Sequence, residues 1–149
     1  MAFDRKEVEA SFHKYMDAIH EAGRTMNWRT WIENSFTEDA VYIDRGLGTS
    51  KGRANILAWM DSLMDSFPGE FSYRADWHVI DGDRVVSYHY DGFPDPAGGA
   101  PHECPVVTIL HYAGDGRWSY EEDVYNVKEF EAAMTAYLAA KAEAETTSA

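Results

Sequence analysis

Three short runs of this chain place protonatable side chains at every second position. Along Arg84–Phe93, Ser87, His89 and Asp91 share one face of an extended strand, while Val86, Tyr88 and Tyr90 share the other. Along Trp118–Tyr125, Glu121, Asp123 and Tyr125 fall together, and along Ala40–Asp44 so do Tyr42 and Asp44. If these faces line one apolar hollow, carboxyls, an imidazole and phenols contend there for protons. Ionised carboxylates in such a place are costly unless paired, so their pKa values separate. One protonated and one ionised group is what acid–base catalysis near neutral pH requires. The bland alternative puts the same groups at a wet rim, or in bonds to the backbone. His89 is the most informative: Asp91 two residues on, with Asp44 or Asp123 nearby, gives it a carboxylate orienter.

Other candidates are weaker. His78 sits in a strand with Asp76 and Ile80 on its face, where a lone histidine is more often structural. Tyr15 lies in the apolar stripe of the first helix, and Trp28 and Trp31 read as a helix core face, with pocket lining as the second possibility. His78, His89, His102 and Cys104 match no metal-ligand spacing, so no metal is expected. Cys104 lacks a nucleophile motif and stands beside Pro105. No glycine-rich turn opens a helix, which argues against a nucleotide cofactor. No cofactor is expected.

The elements that must position these groups follow from periodicity. Asp4 and Glu7 read as a capping box, Val8, Phe12, Tyr15, Met16 and Ile19 follow at helical spacing, and Gly23 is the expected stop. A second helix carries Trp28, Trp31, Ile32 and Phe36, and a third spans Arg53–Ser66. Ala40–Asp44 between them is a strand. Phe71–Ile80 and Arg84–Phe93 form a hairpin through Asp81-Gly82, and Val106–Tyr112 and Trp118–Tyr125 a second around Gly114-Asp115-Gly116. Asn126 with Glu129 caps a last helix, Pro94–Pro105 is a loop, and Glu143–Ala149 is expected to fray. This is one domain over 1–149 with a core of about 4–142, of α+β class. Helices on one face of a curved sheet leave a hollow suited to a small hydrophobic ligand. Tyr88, Tyr90, Val107, Ile109 and His111 fall on the opposite face, whose apolar character calls for a homodimer through the outer sheet.

Composition bounds the function. The chain has 149 residues, 45% hydrophobic and 14% aromatic, which excludes a disordered protein. Its 26 acidic against 13 basic residues give a net charge of −13, so phosphate backbones and anionic membranes are repelled. No apolar run approaches the ~18 residues of a membrane span. Met1–Ala10 lacks the apolar stretch of a signal peptide, and with the single cysteine this suits the cytoplasm.

The segment Phe36–Asp44, followed by Gly52 and the helix of Ile56, resembles the nuclear transport factor 2-like superfamily. More narrowly it is similar to the group of SnoaL-like cyclases, ketosteroid isomerases, scytalone dehydratases and limonene epoxide hydrolases. Ala113–Trp118 and Asn126–Phe130 extend the similarity, which covers about Val8 to Leu138. The resemblance implies a cone-shaped α+β barrel, a curved antiparallel sheet wrapped on N-terminal helices, with a C-terminal helix. From the epoxide hydrolases it implies Asp123 as water activator, Asp91 as acid, Tyr42 as orienting phenol, Asp44 at the place of an asparagine and His89 at that of a bridging arginine. His89 is no permanent cation and cannot clamp two carboxylates with a guanidinium fork. From the isomerases it implies Asp44 as base, Tyr15 as oxyanion donor and Thr108 at the acid's place. The dehydratases place a catalytic histidine at His78.

The combined expectation is a cofactor-independent acid–base enzyme of hydrolase, lyase or isomerase type, acting on a small polyketide-, terpenoid- or aromatic-derived molecule. Asp44, His89, Asp91, Asp123 and Tyr42 would carry the chemistry. Tyr15, Trp31, His78, Thr108 and Tyr125 would contact the substrate. The rival is a non-catalytic ligand-binding or dimerisation module of the same fold.

Overall fold

The Asp4 carboxylate opens the first helix, accepting from the Lys6 amide at 2.7 Å. In this computed structural model, which describes residues 2–148, that bond goes to Lys6 rather than to the Glu7 amide, so the expected capping box is replaced by a simple N-cap. Glu7 does not reach back; its carboxylate accepts instead from the Tyr112 hydroxyl at 2.8 Å. Helix α1 (Arg5–Thr25) runs past Gly23 and ends at Met26, which takes the left-handed conformation. Gly23 serves packing rather than termination. A Cβ there would lie 2.3 Å from the Phe71 carbonyl oxygen, and the Phe71 amide donates to the Gly23 carbonyl at 3.1 Å.

Helix α2 (Trp28–Ser35) is capped by Asn27, and Phe36, expected on its face, is instead the first residue of β1 (Phe36–Asp44). A short strand β2 (Gly48–Lys51), unforeseen from its glycine and polar composition, returns antiparallel along β1. Helix α3 (Arg53–Asp65), strands β3 (Ser72–Asp81), β4 (Arg84–Phe93), β5 (His102–Gly114) and β6 (Arg117–Tyr125), and helix α4 (Val127–Thr147) follow. The loop after β4 is shorter than expected because β5 begins at His102, whose ring nitrogen meets Asp95 at 3.0 Å and closes the turn. Nor does the C-terminal segment fray at Glu143. Helix α4 continues to Thr147, with the Thr146 and Thr147 hydroxyls bonded to the carbonyls four residues back; Ala149 lies outside the described residues.

The six strands lie in the order β2-β1-β6-β5-β4-β3. Every pairing is antiparallel except β1 with β6, which is parallel, so the expected curved, largely antiparallel sheet is mixed and stays open. Its concave face holds α1, α2 and α3 through a core in which Phe12, Ile32, Phe36, Ile56 and Trp118 are fully buried. The fold is α+β with a C-terminal helix, and α4 closes its end by stacking Tyr137 on Phe93 at 4.9 Å. Among the described residues no helix is long and apolar enough to cross a membrane.

A register shift in β3 between Ala75 and Trp77 changes one assignment. Tyr73 and Ala75 precede it and His78 and Ile80 follow it opposite the inward residues of β4, while Asp76 is exposed. The expected face of Asp76, His78 and Ile80 therefore loses its carboxylate.

Candidate active site

The parallel pairing of β1 and β6 sets Tyr42 beside Glu121 and Asp44 beside Asp123. Across the next strand Thr108 stands opposite Asp123, and β4 adds His89 and Asp91. Between this wall and the helices is a cavity of about 260 Å³. Tyr15 and Trp31 line it from α1 and α2, and Trp59, Met60 and Met64 from α3. Tyr125 and Phe130 stand on the side toward α4. Strand alternation thus brings Tyr42, Asp44, His89, Asp91, Thr108, Asp123 and Tyr125 to one chamber, with Tyr15 and Trp31 facing them. His78 does not line it. That ring packs 4.8 Å from Phe12 between α1 and β3, with Glu9 3.9 Å away.

Asp123 is held on both oxygens. Thr108 Oγ1 donates to Oδ1 and Tyr42 Oη to Oδ2, each at 2.5 Å. Burial pushes its carboxyl up to about 6, against the opposing pull of those two hydroxyls and of His89. Glu121, two residues earlier, is 2% exposed and its Oε2 has no partner among the described residues. Burial drives its carboxyl well above the usual range, and the charge of Asp123 drives it further. The two acids separate in the manner that paired carboxylates in a dry site must. Glu121 keeps the proton because its burial and the Asp123 charge outweigh the pull of the Tyr15 and Tyr42 phenols.

His89 is 4% exposed, and its Nε2 lies 3.3 Å from Asp91 Oδ1, a contact without the alignment of a full hydrogen bond. Burial opposes protonation of the ring, but the charge of Asp91 and its contact with the imidazole outweigh that, so the pKa lies above the ordinary histidine value. The Nδ1 atom has no partner among the described residues. Tyr73 packs on the ring, centroids 4.8 Å apart.

Asp44 is placed differently. Its Oδ1 accepts from the Gly46 and Leu47 amides at 2.8 and 2.9 Å and from Tyr125 Oη at 2.7 Å, tying the β1–β2 turn to β6. Tyr15 and Tyr42 are pushed well up by burial and by the nearby Glu121 and Asp123 carboxyls, so both phenols stay neutral donors.

Sequence reasoning left two residues of this wall without a role. Glu121 was grouped with Asp123 by alternation, and the signal for it was the pair of acids two apart on one strand. Tyr73 alternates with Phe71, a pattern legible before the register shift intervenes. Among the described residues no three His, Cys, Asp or Glu side chains converge as a metal ion requires.

Comparison with known proteins agrees with this architecture. The family model of the SnoaL-like domain matches residues 12–121. No curated protein matches the chain. An LEH-like epoxide hydrolase of M. tuberculosis superposes with a TM-score of 0.63 at 17% identity, over 87% of this chain and 92% of that one. A SnoaL-like protein of Jannaschia sp. CCS1 gives 0.66 at 19% identity, over 90% and 98%. An NTF2-like protein of Anabaena variabilis ATCC 29413 gives 0.67 at 15% identity, over 85% and 94%. At such identities the likeness is one of fold.

Proposed function

The chain belongs to the family of SnoaL-like domains, and from that premise we propose that it is a cofactor-independent acid–base enzyme acting on a small, largely apolar molecule enclosed between helices and sheet. The observation that carries this is Asp123: a half-buried carboxylate on the chamber wall, gripped by two hydroxyls beside an acid that keeps its proton. Asp123 takes a proton from a bound water or from carbon next to a carbonyl. Tyr42 and Thr108 hold its oxygens in place during that step. His89, oriented by Asp91, gives a hydrogen bond or, when protonated, a proton to the oxygen on which negative charge grows. Asp91 acts through the imidazole, and Glu121 serves as a second neutral donor. Asp44 positions the turn and Tyr125.

Hydration, dehydration, ring opening and retro-aldol cleavage all use this set. A screen of epoxides, hydroxyketones and polyketide-like substrates, with Asp123→Asn as control, tests it. Turnover is expected to fall at least about 10²–10⁴-fold in that variant. An active enzyme indifferent to Asp123→Asn would overturn the reading; retention of a small molecule without turnover would favour a binding module.

We also infer a homodimer through the outer sheet face. Trp77 and Val79 are 50% and 54% exposed there, and Trp77 stacks on Tyr88 at 5.6 Å, continuing toward Tyr90, Val107 and Ile109. A second copy is the cover this face requires.

A further inference from the structure

We propose that the chamber selects a cation: its ligand pairs a compact apolar body with one basic nitrogen, protonated when bound. This rests on the reading of the chamber as the substrate site and adds the charge of what enters it.

The argument begins with what the wall contains. Asp44, Asp91, Glu121, Asp123 and Glu131 are its acidic residues, and no lysine or arginine is among the described residues that line it. The one basic group, His89, is already paired with Asp91. A carboxylate, phosphate or sulfate entering this space finds no lysine or arginine, and the one imidazole already answers Asp91, so a full negative charge stays uncompensated beside Asp123. A neutral ligand leaves the negative potential uncompensated. A single ammonium neutralises it.

The remaining wall suits the same guest. Tyr15, Trp31, Tyr42, Trp59 and Tyr73 present rings around the acidic pole, and the negative faces of Trp and Tyr attract an ammonium, most strongly where water is excluded. The Glu121 carboxyl supplies an independent indication. It is 2% exposed on the chamber wall, and its Oε2 has no partner among the described residues, so a carboxyl oxygen stands unsatisfied where a ligand group would reach. An N–H of an ammonium fills that vacancy at the carboxyl oxygen, and the ammonium's charge is answered by the neighbouring Asp123. The volume of about 260 Å³ sits below the usual ~300–1,000 Å³ of ligand pockets, so the body is compact, on the scale of one bicyclic ring system.

Three probes that share an indole and differ in charge test the inference on the full chain: tryptamine, tryptophol and indole-3-propionate, each titrated by calorimetry at pH 7.5. Tryptamine is expected to bind about tenfold or more tighter than tryptophol, with indole-3-propionate the weakest. In Asp123→Asn and Asp91→Asn the ratio of tryptamine to tryptophol affinity is expected to shrink about tenfold, with an unchanged near-ultraviolet circular dichroism spectrum reporting an intact chamber. Tryptophol or indole-3-propionate binding as tightly as tryptamine overturns the cation selectivity alone, since the acid–base reading is judged separately by turnover in Asp123→Asn. Absence of binding by all three overturns the cation selectivity together with the reading of the chamber as a ligand site.

Discussion

Asp123 stores a conflict between function and stability. Its carboxyl titrates near 6 in the folded protein, whereas an unfolded aspartate titrates at about 3.9. A group whose pKa is raised on folding contributes stability at low pH that is lost as pH rises through the folded value. Ionised Asp123 is therefore a liability at neutral pH, bounded by about 3 kcal/mol for a shift of roughly two pKa units. Asp123→Asn is expected to be about 1–2 kcal/mol more stable than the parent at pH 8, with the gap closing toward pH 4.5, in denaturant titrations at both values. A variant less stable at pH 8 would make Asp123 a structural acceptor only. The proposed reaction has the opposite dependence: kcat/KM is expected to rise with pH through about 6 as Asp123, in the role proposed for it, loses its proton. Glu121 belongs to the same conflict, since its carboxyl is pushed further up by burial and by Asp123.

At the scale of elements, β1 decides what Asp44 does. Its Oδ1 gathers the Gly46 and Leu47 amides and the Tyr125 hydroxyl, so the strand end, the turn and β6 share one acceptor. Asp44→Ala is expected to cost about 1–3 kcal/mol, and Asp44→Asn, which keeps an oxygen there, less than about 1 kcal/mol. Turnover in Asp44→Asn should stay within about tenfold of the parent; its loss in a stable Asp44→Asn protein would return the role of base to Asp44. Much of this wall was legible in the sequence, because alternation in β4 and β6 holds over the stretch from His89 to Asp91 and from Glu121 to Tyr125. The parallel partnership of β1 and β6 was not, since nothing local in Phe36–Asp44 records which distant strand it meets. The register shift in β3 was equally silent, and it took Asp76 out of the set containing His78. Gly23 was read as a helix stop because glycine usually marks one; the close Phe71 carbonyl that explains it lies far along the chain.

For the whole molecule, the face opposite the chamber is where the proposed second copy would dock. Replacing the exposed Trp77 by lysine places a charge at the middle of the inferred contact. Trp77→Lys is expected to convert a dimer to a monomer in sedimentation experiments with little change in thermal stability, because the side chain is half in solvent already. A parent protein that sediments as a monomer would remove that contact. The net charge of −13 acts over the same scale, drawing cations toward the molecule at low salt and holding anions off. One consequence of the parallel β1–β6 pair concerns synthesis. Strand β1 leaves the ribosome early, but the neighbour that completes it begins only at Arg117. Until then Phe12 on α1 and Phe36 on β1 lack Trp118 to cover them, an adhesive intermediate whose rescue waits until β6 has been made.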